Sequence, residues 1–92
     1  MNSNVKRYLY SVWFEDPKLP PDDQDREWVA CFVVEASTER EAQAFGDSLA
    51  KARSDRAGEP LVSSAVVPAG DNTRGLPLVV VGSQVSDEQL GW

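Results

Sequence analysis

Carboxylates are the only reactive side chains that gather in this sequence. Glu15, Asp16, Asp22, Asp23, Asp25 and Glu27 follow one another with only Lys18 and Arg26 to offset them. Oxygen ligands at Asp22, Asp23 and Asp25 are the type that holds calcium. The stretch nevertheless lacks the sixth-position glycine and twelfth-position glutamate of an EF-hand loop. A solvated acidic segment able to face a basic partner is the expectation. Carboxylates also do acid–base work when a pocket raises one of them, with Tyr8, Tyr10 or Arg74 as helpers, but such a pocket is not written in the spacing.

Other chemistries are excluded by what the chain omits. It has no histidine and one cysteine, Cys31. That removes the commonest general base, the commonest transition-metal ligand, and the usual cysteine-protease and zinc arrangements. Gly70, Gly75 and Gly82 are too scattered for a Walker loop or a dinucleotide fingerprint. Ser63 and Ser64 lie in strand-like sequence without the G-x-S-x-G turn of a nucleophile elbow. No metal, cofactor or catalytic residue is expected. Cys31 can form no disulfide within the chain and is expected as a buried, inert thiol.

The formal net charge of −6 and pI near 4.4 repel phosphate backbones and anionic membrane surfaces, so no nucleic acid or membrane is expected as a partner. With 92 residues, 41% of them hydrophobic and 26% charged, the chain falls in the range of one globular domain. The start of the sequence lacks the apolar run of a secretory signal, and no stretch approaches the ~18 apolar residues of a membrane span. A cytoplasmic protein is expected.

The elements that must position these side chains are read from periodicity. Aromatic and branched residues from Lys6 to Glu15 predict a strand, with Tyr8, Tyr10, Val12 and Phe14 on one face and Leu9, Ser11 and Trp13 on the other. Three prolines and the clustered acids make 16–25 a loop. A second strand follows over 26–36, placing Trp28, Ala30, Phe32 and Val34 opposite in sense to Val29, Cys31 and Val33.

Thr38 and Glu41 have capping-box spacing and open a helix over about 38–55. Ala42, Phe45, Leu49 and Ala52 form its predicted stripe, with Gly46 allowing close approach to a sheet. Ala57 and Gly58 supply the stop. Strands are predicted over 60–67 and 76–82, and Ser86 caps one turn near the end of the chain.

This order gives an α+β fold. The expectation is a four-stranded antiparallel or mixed sheet with one helix packed on one face, a β-β-α-β-β, half-ferredoxin-like layout. Four strands span about 19 Å and one helix covers about 10 Å, so a single helix cannot cover one face and leaves the other bare. The C-terminal segment with Leu90 and Trp92, the Leu19-Pro20-Pro21 loop, a second copy or another protein must cover the remainder.

The leading functional expectation is a non-catalytic interaction protein that binds a protein partner or itself through an open apolar sheet face, the acidic loop, or both. The candidate contact residues are Tyr8, Tyr10, Phe14, Asp22, Asp23, Asp25 and Trp92. The alternative is a small enzyme or ligand-binding domain whose site is completed at a dimer interface. Tryptophans 13, 28 and 92 are core or interface anchors in the first case and ligand platforms in the second.

Overall fold

The computed structural model describes residues 5–70 and 73–92. Strand β1 (Lys6–Glu15) and strand β2 (Glu27–Ala36) form an antiparallel hairpin that pairs Tyr10 with Phe32 and Glu15 with Glu27. The acidic loop between them contains one short 3-10 turn, Gln24–Arg26, whose N-cap Asp23 accepts from the Asp25 amide. Helix α1 (Glu39–Ala57) leads to strand β3 (Leu61–Pro68), which pairs antiparallel with the other side of β1. Strand β4 (Leu78–Val80) lies parallel to β2, and a single helical turn, α2 (Asp87–Leu90), follows.

The sheet is mixed, in the order β3-β1-β2-β4. Both neighbours of β1 run against it, so β2 and β3 are parallel to each other across it, with α1 as the crossover between them.

The fourth strand is shorter than the predicted 76–82. Proline at 77 has no amide to give, and its carbonyl accepts from Val33 before the strand begins. Past Val80, the Val81 amide bonds Glu35 once more, and Gly82 at φ +87° then turns the chain away.

Helix α1 is capped at both ends. The Thr38 hydroxyl accepts from the Glu41 amide at 3.1 Å, while the Glu41 carboxylate reaches the Ser37 amide rather than that of Thr38. Gly58, in the left-handed region at φ +68°, closes the helix by donating to the Ser54 carbonyl.

The buried stripe also differs from the predicted one. It is Ala42, Gly46 and Ala50, at intervals of four, while Phe45 and Leu49 flank it half-buried and Ala52 is exposed. The smallest residues face the sheet because the sheet supplies the bulk: Tyr10, Phe14 and Phe32 are fully buried there.

The core therefore lies on one face of the sheet. Tyr8, Tyr10, Val12 and Phe14 from β1 and Phe32, Val34 and Ala36 from β2 make it, with Val79 and Leu90. The C-terminal turn completes the cover that α1 leaves open. Trp92 sets its ring edge-on to Phe14 and Phe32, each at 5.8 Å between centroids. Arg53 closes the same corner, its guanidinium lying over Trp28 at 4.7 Å and Phe14 at 4.9 Å and pairing with Glu59 at 2.7 Å.

Candidate functional site

Alternation along the strands sends a second set of side chains to the sheet face away from α1. Paired residues build rows across it: Val67, Leu9, Val33 and Leu78 in one, Ala65, Ser11 and Cys31 in the next, and Ser63, Trp13 and Val29 beyond. Val67 is 50% exposed, Val29 48%, Val80 47% and Leu78 43%, while Leu9 and Trp13 are half-buried. Past β3 the Ala69 amide bonds the Arg7 carbonyl, and before β4 the Pro77 carbonyl accepts from Val33, which is the buried centre of its row.

Polar groups mark the limits of this apolar face. Arg7 and Glu35 form an ion pair at 3.5 Å at one end. At the other end Arg26 pairs with Glu15 at 3.1 Å and also donates to the Leu19 carbonyl, which ties the acidic loop back to the root of the hairpin. Cys31 is half-buried on this face and shares a 3.4 Å contact with the Ser11 hydroxyl, so it is not the fully buried thiol expected from its strand.

The aromatic candidates fall elsewhere. Tyr8, Tyr10 and Phe14 are in the core beneath α1 and the C-terminal turn, and Trp92 is half-buried against them, so these four do not form an open contact surface. Their alternation was readable, but which face the helix would cover was not. Asp22, Asp23 and Asp25 are exposed in the hairpin loop. Among the described residues, no three carboxylates converge as a metal cluster would require.

The structure also assembles a polar cluster that spacing did not reveal. Asp47, on the third turn of α1, accepts from the Tyr10 hydroxyl and the Ser64 hydroxyl, both at 2.6 Å and both on Oδ1. Gln43, one turn earlier, donates to both Asp47 oxygens at 3.2 and 3.3 Å and to Ser64 at 2.7 Å. The residues come from α1, β1 and β3, and the only local signal for them is the four-residue spacing of Gln43 and Asp47.

Burial raises the Tyr10 phenol far above its usual value, and the hydrogen bond to Asp47 and that carboxylate's charge push the same way against a smaller opposing effect of Ser64. The phenol is thus a fixed donor. Beside this cluster runs a shallow groove of about 720 Å³ between α1 and β3, lined by Thr38, Glu39, Arg40, Gln43, Ala44, Asp47 and Val66.

No family model, no curated protein and no solved structure matches this chain. No helix among the described residues is long and apolar enough to cross a membrane.

Proposed function

We propose that the protein acts by binding rather than by catalysis, its apolar sheet face taking a second copy of the chain. The observation that carries this reading is the exposure of Val29, Val67, Leu78 and Val80 around Leu9 and Trp13 on one sheet face. Contiguous apolar surface of this kind, bounded by ion pairs, is the ordinary form of an association surface. Two such sheets stacked face to face make a sandwich about 10 Å between layers.

Charge favours one arrangement of the pair. Each copy carries −6, with Glu15, Asp16, Asp22, Asp23, Asp25 and Glu27 at one end of the β1–β2 hairpin. A two-fold axis across the strands sends the two acidic tips to opposite ends, whereas an axis along the strands brings them together. The first is therefore preferred. In it the exposed Asp22, Asp23 and Asp25 stay in solvent, available to a basic partner. The same reading retains the half-ferredoxin-like layout, in which one face carries the helix and the other associates.

Light scattering across a wide concentration range tests this reading. A mass rising to twice that of the chain, reduced to the single-chain value by Val29→Lys with the circular dichroism spectrum unchanged, is expected. A single-chain mass at every concentration would remove the proposal.

A further inference from the structure

The outer edge of β3 and the groove beside it make a second surface, on the α1 side of the sheet rather than on its apolar open face. The bond from the Ala69 amide to the Arg7 carbonyl fixes the phase of the β1–β3 ladder. Peptide groups alternate along an antiparallel ladder, so Ser63, Ala65 and Val67 turn theirs to β1 while Ser64 and Val66 turn theirs outward. Among the described residues nothing pairs with them in the sheet order, in which β3 is terminal. Edge strands are usually blunted by charge, proline or shortness; β3 has no charged residue, and its one proline, Pro68, is its last residue, which leaves the edge unblunted at Ser64 and Val66.

The side chains of Ser64 and Val66 point to the α1 side, where Val66 lines the groove and Ser64 bonds Asp47. A strand added at this edge would set alternate side chains over that groove, because strand side chains alternate with a period of two. The chemistry such a side chain meets is set by Asp47. Its Oδ1 is engaged by three donors, while Oδ2 has only the 3.3 Å bond from Gln43. Among the described residues no lysine or arginine pairs with it. A half-buried carboxylate without a cation favours one from a partner.

We propose that the β3 edge receives an extended segment of another protein as a fifth strand, with a lysine or arginine of that segment seated against Asp47. Main-chain bonds to Ser64 and Val66 supply the general attraction, and the carboxylate supplies the selection. Arg40, on the first turn of α1, lines the same groove and disfavours a second cation close by.

The test is an amide-resolved NMR titration of the full chain with a capped octapeptide of alternating valine and lysine. Two further peptides are compared, one with glutamate in place of lysine and one N-methylated at alternate peptide nitrogens. Saturable shifts at Ser64, Val66, Gln43 and Asp47 are expected with the lysine peptide alone.

Asp47→Asn, which keeps an acceptor for Tyr10, should weaken binding about tenfold. Arg40→Glu, at an exposed position, should strengthen it several-fold. Equal binding of the glutamate or N-methylated peptide, or no shift in β3 at millimolar lysine peptide, would overturn the proposal. So would concentration-dependent shifts of Ser64 and Val66 that persist without peptide in Val29→Lys, since those would put a second copy at this edge. Dimerisation through the sheet face shifts Leu9, Trp13, Val29, Val67 and Leu78 together and is removed by Val29→Lys, whereas lysine-peptide binding at Asp47 is retained in that variant, so the two readings fail separately.

Discussion

The Tyr10 ring occupies the space that a β-carbon on Gly46 would need, so the closest approach of α1 to the sheet depends on both residues together. Gly46→Ala should raise helix propensity by about 1 kcal/mol, yet it drives the new carbon into ring atoms Cγ, Cδ1 and Cε1 of a fully buried tyrosine. Overpacking of this kind costs about 1–3 kcal/mol, and the hydroxyl bond to Asp47 hinders the ring from retreating. A net loss of up to about 2 kcal/mol is expected in urea denaturation. At exposed Ala52 on the same helix, the reverse change to glycine should cost about 1 kcal/mol through propensity alone.

The raised phenol of Tyr10 makes a pH prediction with a definite sign. The folded chain keeps this proton beyond the pH at which the unfolded chain, titrating near 10, gives it up. Stability from this group is therefore complete below about pH 10 and declines above it, by up to about 1.4 kcal/mol per pH unit. Tyr10→Phe should cost about 1–2 kcal/mol at neutral pH by removing the bond to Asp47. It should also flatten the alkaline decline. Parallel denaturation curves for the two proteins between neutral pH and pH 11 would show the difference; equal alkaline slopes would contradict it.

Much of this fold was legible because strand alternation is a local property. The two faces of β1 and β2 follow from side-chain parity, and the predicted bounds of β1 are those observed. Thr38 and Gly58 mark α1 because helix ends need side-chain or backbone partners within a few residues.

What escaped reading depends on partners distant in sequence. The span of β4 is set by where Gly82 turns away from β2, and the stripe of α1 by the bulk of Tyr10 beneath it. Asp47 meets Tyr10 across 37 positions and Ser64 across 17, so no window of sequence contains the cluster. The burial of the aromatic candidates has a similar cause. Aromatic residues looked suited to binding, but the helix and the C-terminal turn bury that face and leave Val29, Val67 and Leu78 outside.

Arg53 offers the sharpest separation of charge from shape. Its guanidinium contacts the faces of Phe14 and Trp28, lies 5.9 Å from the Trp92 ring, and pairs with a Glu59 carboxylate that also accepts from the Trp28 indole at 3.2 Å. Arg53→Lys keeps the charge but loses the planar group that stacks on the rings while bonding Glu59. It should destabilise by about 1–2 kcal/mol. Arg53→Ala also leaves the carboxylate at 19% side-chain exposure with one neutral donor, and should cost about 2–3 kcal/mol. Adding Glu59→Gln to Arg53→Ala should recover part of that loss by removing the uncompensated charge. Denaturation followed by tryptophan fluorescence checks the series, since Trp28 and Trp92 report on this corner; equal stability of the lysine variant and the parent would show that stacking contributes nothing.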